Sequence, residues 1–286
     1  MTTEARRKRA SISDVARLAG FAVGIVSNVL NRPDIVVPAT RARVEAAIKE
    51  MSFVPNAVAR ELQAGTITTV VGLLVVPSGP DLDHLLEIHS RGVRLVLLDA
   101  TAGTSGLSSV SVDDEAGGAL AMAHLVERGH NRVVMLNGSH DVRQCVARLV
   151  GARRAAVAAG LDPDDAVREV QLRALDSASG VEATLALADA LDGLPSAVFC
   201  VNDLVAVGVQ RALRLRGGTA LLESVAIVGY DDIDIASELA VRLTSVRQPT
   251  HEMGCRVADL LLPPESAEIE QVVFAPELVV RASSDR

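Results

Sequence analysis

The sequence predicts an all-α head followed by a larger α/β body. Residues 12–62 carry short amphipathic helical patterns, whereas from about Val70 onward short β-rich runs alternate with amphipathic helices. The charge divides the chain at the same place, because residues 1–62 hold ten Arg/Lys and six Asp/Glu while the remainder holds eighteen and thirty. A basic head on an acidic body indicates that the head meets a polyanion, although a merely polar N-terminal tail would show the same charge.

The composition argues against several classes of protein. A chain of 286 residues with 49% apolar content can form more than one domain, and an aromatic content of 2% predicts an aliphatic core. No run approaches the roughly 18 to 20 apolar residues of a membrane helix, and the basic start MTTEARRKRASISD lacks the apolar region of a secretory signal. Three widely spaced cysteines argue against a disulfide framework or a zinc cluster. We expect a cytoplasmic protein with no cofactor and no membrane partner.

The head opens with a short predicted helix. Ser13 is a candidate N-cap, and Val15, Leu18 and Ala19 form an apolar stripe at helical spacing. Gly20 fits the position after a helix where the backbone turns left-handed. The sequence therefore predicts a helix that ends in a tight glycine turn.

A second short helix is predicted from near Val23 to Leu30. Two short helices joined by a tight turn form a helix-turn-helix, whose second helix enters the major groove of DNA. Small residues near its start, Val23 and Gly24, would allow close approach to the bases. Three polar residues on the same face can hydrogen-bond phosphates or bases: Ser27, Asn28 and Asn31.

A third helix is predicted to begin at Pro38, because proline is favoured at the first helical position. Val44, Ala47, Ile48 and Met51 would close the core over the first two helices. A generic three-helix bundle that binds protein remains the alternative to DNA binding at this point.

A marginal helix is predicted over residues 56–63. In the stretch FVPNAVARELQAG, Pro55 breaks the chain before an eight-residue helical pattern. A helix this short is unstable in water because nucleation is costly. We therefore expect it to order only against a partner.

The head resembles the DNA-binding domain of the lactose-repressor/galactose-repressor (LacI/GalR) family. The resemblance lies in ISDVARLAGFAVGIVSNVLNRPD and PATRARVEAAIKEMSFVPNAVAREL. It implies a homodimer on a palindromic double-stranded operator, with residues 56–63 as a hinge helix whose leucine kinks the DNA from the minor groove. The DNA-binding residues implied are Ser13, Val23, Gly24, Ser27, Asn28, Asn31, Asn56, Arg60 and Leu62.

Four positions of the head depart from the family pattern. Ala22 stands where a serine or threonine usually caps the second helix, a loss of typically ~1 kcal/mol. Ile25 and Val37 replace the usual threonine and serine, and Glu61 places a carboxylate beside the leucine that would meet the phosphates. Each change is expected to weaken DNA binding without abolishing it.

The alternation in the body predicts parallel sheets with helices on both faces, and ligands in such folds bind beyond the carboxyl ends of the strands. Asp203 follows the strand SAVFCVND, and Asp231 follows VAIVGYDD. Arg148 lies in the helical stretch CVARLVGARRAAVAAG. From the residues alone, helix capping explains the aspartates and a solvated helix face explains the arginine.

The family resemblance extends to the body and changes that interpretation. RLxGxxxA, NDxxAxG and GYDD followed by LTSVRQP match a two-lobed, periplasmic-binding-protein-like effector domain. The resemblance implies that a sugar or small metabolite is held between the lobes. The residues implied to bind it are Arg148, Asp203 and Asp231.

The body is shorter than the family pattern by about fifty residues. Two strands and two helices of the first lobe are expected to be absent near Thr66 to Val71. An incomplete first lobe would expose an edge of its sheet and weaken or abolish effector binding.

The expected bounds are 1–62 for the head with its hinge and 66–286 for the effector and dimerisation domain. Within the body we expect a first lobe of 66–113 plus 233–262 and a second lobe of 114–232 plus 270–281.

The sequence thus predicts a sequence-specific DNA-binding transcriptional regulator, a repressor in the main interpretation. A small-molecule binding protein of the periplasmic type is the alternative, but it would carry a signal peptide and no helix-turn-helix. An enzyme is not expected, because the chain contains no GxSxG, GxGxxG or GxxxxGK[ST] motif.

Overall fold

The structure, a computed structural model, describes residues 12–31, 36–50, 72–77, 81–190, 193–262 and 269–285. Six side chains within these ranges fall outside the description: Ile12, Ser13, Asp14, Leu30, Asn31 and Glu50. The chain divides into two units, Met1–Val70 and Val71–Arg286, which correspond to the head and the body.

The described part of the head consists of three helices, α1 (Ile12–Ala19), α2 (Val23–Asn31) and α3 (Pro38–Glu50). Gly20 has a φ of 74°, the left-handed turn predicted between the first two helices. The three helices share one small core, as expected from their apolar spacing. Its buried members are Val15, Ala16, Ala19, Val26, Val29, Val44 and Ala47.

Two details of the head differ from the prediction. The first helix begins at Ile12, so Ser13 lies inside the helix and not at its N-cap position. Leu18 is 46% exposed, and Ala16 takes its place in the core. Residues 15, 16 and 19 meet the other two helices because positions three and four apart share a helix face.

The body contains eight helices and ten strands among its described residues. In chain order these are β1 (Leu73–Val75), α4 (Asp83–Ser90), β2 (Leu95–Leu98), β3 (Ser108–Val112), α5 (Asp114–Glu127), β4 (Val133–Asn137), α6 (Arg143–Ala158), α7 (Pro163–Ala166), β5 (Val167–Gln171), α8 (Ser177–Asp189), β6 (Ala197–Cys200), α9 (Asp203–Ser224), β7 (Ala226–Asp231), α10 (Asp234–Glu238), β8 (Thr244–Arg247), α11 (Thr250–Leu261), β9 (Gln271–Phe274) and β10 (Glu277–Val279).

The first lobe is built on a four-stranded parallel sheet of order β1-β2-β3-β9. The α4 helix covers one face, where its Leu85 shares a core with Leu95 and Leu97 of β2. The α11 helix covers the other face through Met253 and Val257. Among the described strands β1 is an edge, paired with β2 alone.

The second lobe is built on a six-stranded sheet of order β10-β8-β7-β6-β4-β5. All its neighbouring strands are parallel except the antiparallel pair β10–β8. Two cores lie against this sheet, with Leu136 and Ile227 in one and Phe199 and Tyr230 in the other. The prediction of parallel sheets covered by helices on both faces is confirmed for both lobes.

The strand pairing differs from the expected lobe bounds in two places. The strand β8 lies inside the range expected for the first lobe, but it pairs within the six-stranded sheet of the second lobe. The strand β9 lies in the range expected for the second lobe, but it pairs with β3 of the first. Short runs of similar β propensity do not reveal which sheet they join, because that depends on long-range partners.

No helix among the described residues combines the length and the apolar content that crossing a membrane requires.

Candidate functional site

The exposed face of α2 carries the residues predicted to meet DNA. Val23 is 43% exposed, and Gly24 and Asn28 are also exposed, whereas Val26 and Val29 are buried in the head core. Nothing lies within 4 Å of the position that a side chain on Gly24 would occupy. The face therefore offers a small, open surface at the start of the helix, as close approach to base edges requires.

The start of α2 is organised without a capping side chain. The carbonyl oxygen of Ala22 accepts from the N–H groups of Ile25 at 2.9 Å and Val26 at 3.3 Å, which places Ala22 at the N-cap position. An alanine there has no side-chain oxygen to accept from the free N–H groups of the first turn. These N–H groups point from the N-terminal end of the helix, where an anion is favoured.

The remaining predicted DNA contacts are only partly described. Ser27 is half-buried on α2, and the backbones of Ser13 and Asn31 lie in α1 and α2, respectively. Asn56, Arg60 and Leu62 lie outside the described residues. The assignment of all these residues to DNA binding stays a prediction.

In the body, Arg148 is held in place by close packing of α5 on α6. A side-chain carbon on Gly118 would lie 2.0 Å from the carbonyl oxygen of Arg148, and one on Gly151 would lie 1.9 Å from that of Glu115. Only glycine fits at either position. The glycine of the RLxGxxxA motif therefore sets the distance between the two helices, and with it the position of Arg148.

The Arg148 guanidinium is buried between a carboxylate, a carbonyl oxygen and an aromatic ring. Its side chain is 7% exposed, and its Nε donates to the Asp114 carboxylate at 3.0 Å. One terminal nitrogen donates to the carbonyl oxygen of Val201 at 2.6 Å, and the other lies 4.0 Å from the Asp231 carboxylate. The guanidinium also lies over the Tyr230 ring, with its central carbon 3.5 Å from the ring centroid. The arginine is thus a buried charge and not a solvated helix residue.

The first lobe contributes Asp99, which follows β2 and has a φ of 57°. The Gln144 side-chain amide donates both to the Asp99 carbonyl oxygen at 2.9 Å and to its carboxylate at 2.8 Å. Arg143 donates to Asp114 at 3.1 Å and reaches the same Asp99 carbonyl at 3.5 Å. These contacts join the two lobes across the crevice at the carboxyl ends of β2 and β7, which we call the interlobe crevice.

Asp231 lies at the end of β7 on the second-lobe side of this crevice. Its side chain is 34% exposed, and its carboxylate accepts from the Gln248 amide at 2.7 Å. The backbone at Asp231 is left-handed, with a φ of 99°. That conformation is unfavourable for a residue with a side chain, and such strain is concentrated at functional sites. Burial raises the pKa of this carboxyl group, against the opposing effect of Arg148.

Asp203 lies away from the crevice surface. Asp203 is 0% exposed, and its carboxylate accepts from the Ser245 hydroxyl at 2.6 Å and from the N–H of Ile233 at 2.9 Å. Burial raises its pKa to about 7. The N-cap of α9 is the preceding residue, Asn202, whose side-chain oxygen accepts from the N–H of Val205. The capping interpretation of Asp203 is therefore wrong, because Asn202 is the N-cap. The role of Asp203 in effector binding stays a prediction.

Sequence reasoning missed four residues of the crevice. Asp114 pairs with Arg148, and Asp99, Arg143 and Gln144 extend that network, but none of the four lies within the three motifs of the body. Their positions gave a usable signal, because Asp99 ends the run RLVLLD and Gln144 lies one helical turn before Arg148. Both locations follow from the rule that ligands bind beyond the carboxyl ends of parallel strands.

Comparison with known proteins gives two family matches. Residues 11–56 match the model of bacterial regulatory proteins of the lacI family, and residues 122–284 match a periplasmic binding protein-like domain. The chain is 32% identical to the HTH-type transcriptional regulator CelR of Thermobifida fusca, over 97% of this chain and 99% of that protein. It is 27% identical to the HTH-type transcriptional repressor PurR of Vibrio atlanticus, over 96% and 98% of the two chains.

A solved structure gives the same result. The complex of the transcriptional regulator CelR with cellobiose superposes with a TM-score of 0.67 at 30% identity, covering 96% of this chain and all of that one. The head, the two-lobed body and these relatives define the class of a two-domain DNA-binding regulator. The chain belongs to the LacI family of bacterial regulatory proteins, and it is a transcriptional regulator and not an enzyme. The alternative of a small-molecule binding protein of the periplasmic type is wrong, because these relatives are helix-turn-helix regulators.

Proposed function

We propose that the protein is a repressor that binds a palindromic double-stranded operator as a homodimer. The observation that carries this proposal is the exposed, uncharged face of α2 above a small packed core. One head makes few base contacts, and two heads related by a two-fold axis read two half-sites. We further propose that the protein acts in the cytoplasm, where the operator is.

We also propose that the interlobe crevice is the effector site, with Arg148 and Asp231 on the second-lobe side. Support comes from the buried charge network and the strained backbone at Asp231. The relative CelR is solved as a cellobiose complex, which favours a sugar-like effector. Asp203 would act on the site indirectly, by holding the backbone that follows Asp231. Its carboxylate accepts a hydrogen bond from the N–H of Ile233, which comes directly after the Asp231–Asp232 pair.

Control by this effector is proposed to be weaker than in relatives with a complete first lobe. The alignment with CelR spans 343 positions, 57 more than the 286 residues of this chain. At many aligned positions CelR therefore has a residue where this chain has a gap. The described first-lobe sheet has four strands, whereas that of the second lobe has six. A smaller first lobe offers less surface to close on a ligand, and a ligand that meets fewer protein groups is bound more weakly.

The proposal is tested by fluorescence anisotropy with DNA from the region upstream of the protein's own gene. At two salt concentrations, this DNA is compared with a scrambled duplex of equal length. We expect a preference of ~10³-fold or more for the upstream DNA. Asn28→Ala should reduce that preference while leaving the salt-dependent binding to scrambled DNA unchanged, and Ala46→Ser on the exposed surface of α3 is the matched control. Equal and weak binding of both duplexes would refute sequence-specific recognition.

A further inference from the structure

The α2 helix carries no side chain of the kind that reads guanine. Its sequence, VGIVSNVLN, contains no arginine or lysine. Guanine is most often read in the major groove by a bidentate contact from one of these residues to its O6 and N7 atoms. Among the described residues of the head, the positive side chains lie on α1 and α3, and they are Arg17, Arg41, Arg43 and Lys49.

Two of the α3 arginines make contacts within the head. Arg43 donates to the carbonyl oxygen of Ala19 at 3.1 Å and lies over the Phe21 ring, 4.9 Å from its centroid. Arg41 donates to Glu45 on the same helix at 2.7 Å. Arg43 therefore packs at the turn between α1 and α2 and does not add a positive charge to the exposed face of α2.

The polar group that α2 does expose is an amide. Asn28 is exposed and lies one helical turn after Gly24, on the side opposite Val26 and Val29 of the head core. A side-chain amide has a donor and an acceptor, which match the N7 acceptor and the N6 donor of adenine in the major groove. Guanine presents two acceptors there, so that the amide oxygen would face a second acceptor. Asn28 is therefore suited to adenine and poorly suited to guanine.

The first turn of α2 adds an apolar contact and room for close approach. Val23 is 43% exposed, and thymine is the base that presents a methyl group in the major groove. Nothing lies within 4 Å of the position that a side chain on Gly24 would occupy. Valine and asparagine are short, so the helix must lie close to the bases for Val23 and Asn28 to reach them. The glycine leaves the space for that approach.

We propose that α2 reads A·T base pairs in each half-site, with Asn28 on an adenine and Val23 on a thymine methyl group. Both residues then determine specificity, and a G·C pair at either position is disfavoured. This inference rests on the proposed operator binding and adds the base chemistry of the operator. It concerns the base pairs that α2 contacts, whatever the composition of the rest of the site.

The first test is selection of duplexes from a random pool by the full-length protein and by the variants Asn28→Ala and Val23→Ala. A position whose selected base changes in a variant is a position that the side chain reads. The wild type should select A·T at both positions, and each variant should lose the preference at one of them. Ala46→Ser, on the exposed surface of α3, is the control and should select the same sites as the wild type.

Asn28→Arg gives a gain of function at the same position. Arginine supplies the bidentate donor that guanine requires, so this variant should select G·C where the wild type selects A·T. It also decides the case in which Asn28→Ala enriches no sequence. Selection of G·C by the wild type at either position, or unchanged selection by Val23→Ala or Asn28→Arg, would overturn the proposal.

The second test changes single atoms of the selected duplex and follows binding by fluorescence anisotropy. Uracil in place of the contacted thymine removes only the methyl group, and the wild type should bind about fourfold more weakly. 7-Deazaadenine removes the N7 acceptor, and the wild type should bind about fivefold more weakly. Val23→Ala should be insensitive to the first change and Asn28→Ala to the second. Equal losses in the wild type and the matching variant would contradict the assigned contacts.

Failure of this inference is distinguishable from failure of operator binding. If the wild type enriches no sequence from the pool, operator recognition is refuted and the inference with it. If it enriches a sequence that α2 reads at G·C pairs, the inference alone is overturned and the operator proposal stands.

Discussion

At the scale of single residues, the charge state of Asp203 is the most consequential feature. Its carboxyl group is buried, and the hydrogen bonds from Ser245 and Ile233 only partly offset the cost of ionising it. The pKa is raised to about 7, far above that of an aspartate in an unfolded chain. The folded protein therefore binds this proton more tightly than the unfolded chain does.

Asp203 should make the protein less stable as the pH rises. The stabilisation from its bound proton is complete below about pH 4 and is lost as the pH passes through about 7, in total by up to about 4 kcal/mol. Asp203→Asn cannot ionise, so the difference in unfolding free energy between wild type and variant should change across this window. Denaturant unfolding at pH 5, 6, 7 and 8 measures it, with the exposed Asp165→Asn as control. A constant difference would contradict the raised pKa.

At the scale of elements, capping decides how firmly two functional helices begin. The α9 helix starts with a side-chain cap from Asn202, which also donates to the carbonyl oxygen of Leu175. The α2 helix starts at Ala22 with no such cap. The body helix behind the crevice is therefore secured at its N-terminus, whereas the helix proposed to read DNA is not.

A cap introduced at Ala22 should stabilise the head. Ala22→Ser supplies an oxygen that can accept from the first-turn N–H groups of α2, and we expect a gain of about 1 kcal/mol. The measurement is thermal unfolding of the full-length protein followed by hydrogen exchange of α2 amides. Ala46→Ser, an exposed alanine within α3, is the control and should not stabilise. Equal exchange in the two variants would show that α2 needs no cap.

The opposite experiment applies to α9. Asn202→Ala removes the oxygen that receives the Val205 N–H and should cost about 1 kcal/mol of unfolding free energy. Asn202→Asp keeps an acceptor at the same place and should retain most of the stability. If both variants lose the same amount, the bond to the carbonyl of Leu175 and not the cap is responsible.

At the scale of the whole molecule, the first lobe is the weak part. Among the described strands, β1 is at the edge of its sheet, and there Leu74 is 47% exposed and the following Val76 is 59% exposed. The stretch from Gly72 to Pro77 contains no charge. An uncharged edge strand with exposed apolar side chains is prone to pair with other chains.

A charge on this edge should reduce self-association. Leu74→Lys places a lysine on the exposed side of β1 and is expected to lower the light scattered by a concentrated solution on mild heating. Leu215→Lys, at a 74% exposed position of α9 in the other lobe, is the matched control and should have a smaller effect. Equal effects would mean that overall charge, and not the β1 edge, controls association.

Much of this molecule follows from local sequence. Gly20 marks the end of one helix of the head and Pro38 the start of another, because each fits one backbone conformation. The helical spacing of Val26 and Val29 identifies the buried side of α2. In the body, the alternation of β-rich and amphipathic runs predicts the parallel sheets. The residues of the α2 surface could therefore be predicted before the structure.

Which strands share a sheet, and which groups surround Arg148, can be read only from the packed fold. The strands β8 and β9 belong to different lobes than their position suggested, because pairing over long range and not local propensity selects the sheet. Asp99, Asp114 and Gln144 are separated along the chain, yet hydrogen bonds through Arg143 join them in one network, in which Asp114 pairs with Arg148. Local sequence is enough to predict the helices, the motifs and the class of protein, since these depend on neighbouring residues. The charge balance of the crevice depends on distances between residues remote in sequence, and only the packed fold determines those.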